Sequence, residues 1–121
     1  MSGRVDLDGV ADALRARIPA WNAYGVSVGG FLWRDQDADW SMAVVADRSA
    51  VASPESLQVA LTLPHGAHSY AITEAHLVYW TGGWADVNAV IRNEIYTDAP
   101  EVTDVDSCIA VAESVVARLS A

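Results

Sequence analysis

The chain has 121 residues, the length of one domain, and we treat residues 1–121 as a single domain. Hydrophobic residues make up 52% of it and charged residues 19%, a composition that excludes a disordered chain. Sixteen acidic residues oppose seven arginines, for a formal charge of −9. Because nucleic-acid binding depends on cations that neutralise phosphates, this balance excludes a nucleic-acid partner.

The negative charge has two interpretations that the sequence leaves open. It favours basic partners and speeds their capture, or it serves only to keep the protein in solution. The single cysteine, Cys108, excludes an internal disulfide and a zinc site built from several thiolates. The polar stretch from Met1 to Asp8 lacks the apolar core of a signal peptide, and no run reaches the ~18 apolar residues of a membrane helix. We therefore expect a cytoplasmic protein that does not bind membranes.

The first predicted elements are a helix and a strand. Apolar residues recur at three- and four-residue steps over residues 5–18, which indicates an amphipathic helix, and Pro19 is expected to end it. The pattern then changes to that of a strand over residues 26–33. Gly29-Gly30 predicts a bulge or a close backbone approach inside this strand.

Three further strands are predicted in the middle of the chain. Residues 40–45 alternate and form a hairpin with the first strand. After a loop at residues 53–56, clean alternation predicts a third strand over residues 57–63. A fourth covers residues 69–80, and Thr81-Gly82-Gly83 is the strongest hairpin signal in the sequence.

The fifth strand begins after this turn, and we expect it to run on, with a bulge, to Tyr96. Its alternation separates two faces. If the residues that face the helices are Ala85, Val87 and Ile91, those that face outward are Trp84, Asp86 and Asn88.

A final helix follows Pro100. Thr103 is its predicted N-cap, and Asp104 and Asp106 lie in the first turn, where the helix dipole favours negative charge. Its apolar stripe consists of Val105, Ile109, Ala112, Val116 and Leu119, with Cys108 beside it as buried filler. The sequence thus predicts an α+β fold: an N-terminal helix, about five antiparallel strands, and a C-terminal helix packed on one face of the sheet.

The sequence shows no motif for catalysis. It has no phosphate-binding glycine loop, no nucleophile elbow and no His-Glu-x-x-His helix. His65, His68 and His76, with Glu74, contain the residue types of a metal site, but we interpret them as ordinary loop and strand residues. Glu74 is likewise expected to face solvent rather than to act as a general acid or base. We expect no enzymatic activity, no metal and no cofactor.

Five tryptophans are the most informative feature of so short a chain: Trp21, Trp33, Trp40, Trp80 and Trp84. Because each indole buries a large apolar area, most of them are expected in the core. Trp84 differs, since alternation places it on the outward face beside a carboxylate. An exposed tryptophan with acidic neighbours is typical of a protein–protein interface.

The segment Leu77-Val78-Tyr79-Trp80-Thr81-Gly82-Gly83-Trp84-Ala85-Asp86-Val87 resembles the central hairpin of the TriTu immunity proteins. In that family a strand ends in tryptophan before a glycine turn, a strand with an aspartate follows, and a C-terminal helix begins with acidic residues. Trp80, the glycine pair, Asp86 and the helix from Thr103 occupy these places, so the resemblance covers residues 77–120. It implies an intracellular bacterial protein that neutralises a polymorphic toxin by direct binding, without catalytic residues.

We therefore predict an immunity protein, either a monomer or a homodimer, whose partner is a cognate toxin domain, expected to be basic. The predicted contact residues are Trp80, Trp84, Asp86 and Glu94, with an acidic loop of Asp35, Asp37 and Asp39. A dimeric secretion chaperone or adaptor is one alternative. The other is a domain that binds a small molecule in a tryptophan-lined pocket between sheet and helices.

Overall fold

The computed structural model describes residues 4–36, 44–64 and 73–120. Its elements follow in the order α1 (Leu7–Ala23), β1 (Ser27–Val28), β2 (Leu32–Asp35), β3 (Pro54–Thr62), β4 (Thr73–Trp80), β5 (Trp84–Ile91), β6 (Glu94–Asp98) and α2 (Val105–Ser120). A short 3₁₀ turn, Arg48–Ala50, lies between β2 and β3. The predicted α+β fold, with a helix at each end of an antiparallel sheet, is confirmed.

The sheet is antiparallel throughout the described residues, with the order β1-β3-β4-β5-β6. β2 pairs with the same edge of β3 as β1 does, closer to the start of β3. β1 and β2 are therefore two halves of one strand that is interrupted at Gly29-Gly30. Gly29 approaches β3 closely there, since its N–H donates to the carbonyl of Ala60 at 2.8 Å.

The core lies between the helices and one face of the sheet. Its largest fully buried side chains are Trp21, Trp33, Tyr79, Leu14, Leu57, Leu61, Leu77 and Leu119. Tyr79 donates its hydroxyl to the carbonyl of Cys108 at 2.9 Å, which ties β4 to α2 and satisfies the one polar atom of that ring. Burial raises the pKa of the Cys108 thiol to about 12, so this cysteine is the inert filler that the sequence predicts.

Pro19 does not end the first helix, and that prediction is wrong. α1 continues to Ala23 with Pro19 inside it, on an exposed position. The proline costs the helix about 3 kcal/mol, but the turn beyond it carries Trp21, which is 1% exposed in the core. The Nε1–H of Trp21 also donates to Glu113 of α2 at 3.2 Å. Burial of the indole therefore offsets the broken helical hydrogen bond.

Three other boundaries differ from the predictions. β3 begins at Pro54, inside the stretch predicted as a loop, because proline is acceptable as the first residue of a strand. β5 does not run on to Tyr96: the chain reverses at Arg92-Asn93, whose φ angles of 51° and 69° are those of a tight hairpin turn. Asp104 replaces Thr103 as the N-cap, since its carboxylate accepts the N–H of Ser107 at 2.8 Å.

Two predicted strands fall partly outside the described residues. Of the strand at residues 40–45, only Val44 and Val45 are described, and Val45 forms a bridge with Trp33. That bridge is antiparallel, as the predicted hairpin requires. Of the strand at residues 69–80, the described part forms β4.

An ion pair joins the start of α1 to the 3₁₀ turn. Arg48 donates to both carboxylate oxygens of Asp8, from Nε at 2.7 Å and from Nη2 at 2.9 Å, and its guanidinium also lies 5.3 Å from the ring of Trp33. The hydrogen bond to Arg48, more than any other factor, lowers the pKa of Asp8. The pair therefore stabilises the fold above the usual carboxyl pKa of 3.8, and this contribution is lost as the pH falls through the lowered folded-state value.

Asp8→Asn is expected to lower the free energy of unfolding at neutral pH by up to about 1 kcal/mol, because both partners are partly exposed. The difference from the wild type should shrink as the pH falls below the usual carboxyl range. Urea denaturation at a series of pH values measures both quantities. A difference that stays constant down to strongly acidic pH would show that Asp8 does not act through its charge.

Candidate functional site

The two faces of the sheet have different surroundings. On the helix side, alternate residues of the central strands are buried; on the other side, the described side chains are half-buried or exposed, except that of Ser56, which is buried. We call this second surface the open face. Its side chains include Leu32, Arg34, Ser56, Gln58, Ala60, Thr62, Glu74, His76, Val78, Trp80, Trp84, Asp86, Asn88, Val90, Ile95 and Thr97.

The alternation predicted for β5 is confirmed. Ala85 and Val87 are buried against the helices, whereas Trp84 and Asn88 are exposed on the open face and Asp86 is half-buried there. The strand thus presents a tryptophan and a carboxylate on the side away from the core.

Trp80 and Trp84 form a stacked pair at the end of the β4–β5 hairpin. They are cross-strand partners, and their ring centroids lie 5.6 Å apart with an angle of 16° between the planes. Trp80 donates its Nε1–H to Oδ2 of Asp86 at 2.9 Å, which fixes its ring and satisfies its polar atom. Trp84 is 42% exposed, so a large apolar surface faces outward on a rigid support.

Each glycine of the turn has a separate structural role. Gly83 has φ 113°, a backbone conformation that other residues rarely adopt, and its N–H donates to the carbonyl of Trp80 at 3.0 Å. Gly82 leaves room for the indole of Trp84: a Cβ at Gly82 would lie 2.8 Å from Cζ3 of that ring. The glycine pair therefore sets both the turn and the place of the exposed tryptophan.

Gly82→Ala is expected to move the indole of Trp84 with little change in the free energy of unfolding, because an exposed side chain can swing away from the new methyl group. The indole N–H resonances of Trp80 and Trp84 in a ¹H–¹⁵N NMR spectrum report the change. Gly30→Ala is the matched control, since a Cβ at Gly30 meets no atom within 4 Å. Unchanged indole resonances in Gly82→Ala would contradict this role of Gly82.

Glu101 lies beside Trp84, and the sequence analysis did not identify it. The N–H of Ala85 donates to the carbonyl of Pro100, and the N–H of Val102 donates to the carbonyl of Gly83, each at 3.0 Å. These two bonds make Trp84 and Glu101 a cross-strand pair of the closely spaced, non-hydrogen-bonded kind, with Cα atoms about 4.5 Å apart. Both side chains therefore point to the open face, and Glu101 is exposed.

The structure brings together three of the seven predicted contact residues, Trp80, Trp84 and Asp86. Glu94 is exposed at the start of β6, opposite Ile91, which places it about 23 Å along β5 from Trp84 at about 3.3 Å per residue. Asp35, at the end of β2, accepts the N–H of Ala52 at 2.9 Å. Asp37 and Asp39 lie outside the described residues.

The remaining tryptophans divide as the sequence predicts where the structure describes them. Trp21 and Trp33 are each 1% exposed in the core, and Trp40 lies outside the described residues. Trp33 nevertheless lines an open surface groove of about 470 Å³ between α1 and β2, together with Ile18 and Phe31. The small-molecule site of the alternative prediction would lie between the sheet and the helices, in a pocket lined by tryptophan.

The histidines show no metal-binding arrangement within the described chain. His76 is exposed and Glu74 is half-buried, both on the open face, while His65 and His68 lie outside the described residues. Among residues 4–36, 44–64 and 73–120, no three His, Cys, Asp or Glu side chains are close enough together to hold a metal ion.

Comparison with known proteins found no match for this chain. No protein-family model matches the chain, and no match was found among curated proteins or among solved structures. The resemblance to the TriTu immunity proteins rests on residues 77–120 of the sequence alone. Neither of the two described helices has the length and apolar character needed to cross a membrane.

Proposed function

We propose that the chain is an immunity protein that binds a cognate toxin domain through the open face of its sheet. The observation that carries this proposal is the stacked pair of Trp80 and Trp84, which is fixed by Asp86 and left partly exposed on the face opposite the helices. An indole on a rigid strand is the kind of residue that dominates binding energy in protein complexes.

The composition of the open face supports a protein partner. Its apolar residues, Val78, Trp84, Val90 and Ile95, lie among uncharged polar side chains such as Asn88 and Thr97. Interface centres are rich in aromatic residues and their rims are polar, and the stacked pair of Trp80 and Trp84, with the carboxylates of Glu74, Asp86 and Glu101 on the same face, fits that description. A complex of standard size would bury on the order of 800 Å² on each partner.

The charge of the chain supports a basic partner. The formal charge is −9, and the side chain of Arg34, which lies opposite Ser56 of β3, is 10% exposed and paired with Glu55 at 3.3 Å. Toxins that attack nucleic acids are often basic, and an acidic inhibitor would capture a basic toxin at a rate enhanced by attraction. On this proposal the protein acts in the cytoplasm, where it protects the cell that makes it.

If a large secreted protein with a variable C-terminal domain is encoded just upstream of this gene, co-expression of the chain with that domain tests the proposal. The expected result is a stable complex on size exclusion and restored growth of cells that express the toxin domain. An association rate that falls as ionic strength rises would support the role of charge. Failure of the two purified proteins to associate at micromolar concentration would contradict the proposal.

A homodimeric secretion chaperone is the second candidate, and the edge of the sheet favours it. β6 is a terminal strand that pairs with β5 among the described residues, and its Ile95 is 82% exposed. An edge of this kind can add a strand from a second copy of the chain. Light scattering separates the two candidates, because a stable dimer at micromolar concentration would favour the chaperone.

A further inference from the structure

The surroundings of Trp84 suggest which side chain of the partner it receives. Stacking on Trp80 occupies one side of the Trp84 ring, and 42% of the residue is still exposed. Stacking on Trp80 positions the ring before any partner arrives, and Gly82, which has no side chain, leaves room for it there. A site that is formed in advance loses less entropy on binding.

Two carboxylates flank this indole on the same face of the sheet. Glu101 is its closely spaced cross-strand neighbour, so the Cβ atoms of the pair lie about 4.5–5.5 Å apart. Asp86 is two residues further along β5, about 7 Å from Trp84 along the strand. Asp86 uses Oδ2 to accept the indole N–H of Trp80, and a carboxylate has further lone pairs that can accept other donors.

We propose that Trp84, Asp86 and Glu101 together bind an arginine side chain of the partner protein, an inference that rests on the function proposed above. Indole is the aromatic ring that attracts cations most strongly. A guanidinium is planar and weakly hydrated, so it stacks on the ring while the N–H groups at its edge donate to the flanking carboxylates. The ammonium of lysine is a point charge that does not stack in this way. The excess of negative charge on the chain favours the same occupant.

An NMR titration of the full chain tests this inference with three short peptides as probes: acetyl-Gly-Arg-Gly-amide, the same peptide with lysine, and the same peptide with citrulline, which has the shape of arginine without its charge. The arginine peptide is expected to shift the indole N–H resonance of Trp84 with a millimolar dissociation constant, and to leave those of Trp21 and Trp33 unchanged. The lysine peptide should bind about two- to fivefold more weakly, because its ammonium keeps the charge but loses the planar stacking and the forked hydrogen bonds of the guanidinium. The citrulline peptide should produce no shift.

Variants show whether the two carboxylates take part. The double variant Asp86→Asn, Glu101→Gln should bind the arginine peptide more weakly than the wild type. The amide oxygen at position 86 can still accept the indole N–H of Trp80. Asp106→Asn with Asp12→Asn is the matched control, because it removes two exposed charges from the helices, on the other side of the sheet. The control pair should bind the peptide like the wild type.

Two results would overturn the inference: an unshifted Trp84 resonance at saturating arginine peptide, or an equal shift with the citrulline peptide. The proposed function is tested separately, with the toxin domain itself. If the chain binds that domain but does not bind the arginine peptide, this inference is refuted and the proposed function is not.

Discussion

Trp84→Ala is expected to weaken binding of the partner protein by about 30-fold or more, which corresponds to about 2 kcal/mol, the threshold of an interface hot spot. The residue is 42% exposed, and its ring is held by Trp80 and by the turn at Gly82. Removing the indole deletes the largest apolar surface that the hairpin presents. Isothermal titration calorimetry with the toxin domain measures the change.

The control for this prediction is another exposed aromatic residue. Tyr24 caps the C-terminal end of α1, is 65% exposed and lies outside the open face, so Tyr24→Ala should bind the partner like the wild type. Trp84→Ala should also remain folded, because the lost stacking is worth about 0.5–1.5 kcal/mol. Equal losses of affinity in the two variants would show that the open face is not the binding surface.

Trp21→Ala is expected to lower the free energy of unfolding by about 3–5 kcal/mol, the usual cost of replacing a buried tryptophan with alanine. The indole is 1% exposed between α1 and α2, and its N–H donates to Glu113. Since domains of this size are stable by about 5–15 kcal/mol, the loss is a large share of the total. Urea denaturation measures it.

A second variant separates burial of the ring from the polar contact at its edge. Glu113 also binds Arg17 at 2.7 Å, a pair in which both side chains are a little under half exposed. Arg17→Ala should therefore cost no more than about 1 kcal/mol. If Trp21→Ala were as mild as Arg17→Ala, burial of Trp21 would not explain why α1 continues past Pro19.

The side of the sheet to which each strand residue points could be predicted from the sequence, because it depends on alternation alone. Once β5 was recognised as a strand against helices, Ala85 and Val87 had to face the core and Trp84 had to face away. The same reasoning holds for α2, where the spacing of Ile109, Ala112 and other apolar residues identified the buried stripe.

Predictions from local sequence signals for helix ends and turns were wrong where tertiary packing determines the structure. Pro19 is a strong helix breaker in isolation, but burial of Trp21 two residues later extends the helix. The turn at Arg92-Asn93 lacks glycine, and arginine gives no signal for a left-handed conformation. It is set by the pairing of β6 with β5, which the sequence does not display.

The candidate site could be predicted only in part. Trp80, Trp84 and Asp86 lie on one hairpin, so their proximity follows from the turn between them. Glu101 joins them because the chain returns beside β5 after β6, and no spacing in the sequence indicates this. Glu94 was also predicted as a contact, and the β5–β6 hairpin places it at the other end of β5.

Hydroxyl-radical footprinting of the chain, alone and in complex with the toxin domain, is the most direct measurement of the binding surface. Three exposed reactive side chains report on it: Trp84 and Ile95 on the open face, and Tyr24 at the end of α1. Use of the open face as the binding surface predicts that Trp84 and Ile95 become protected in the complex while Tyr24 stays reactive. Protection of Tyr24 with unchanged reactivity of Trp84 and Ile95 would contradict it.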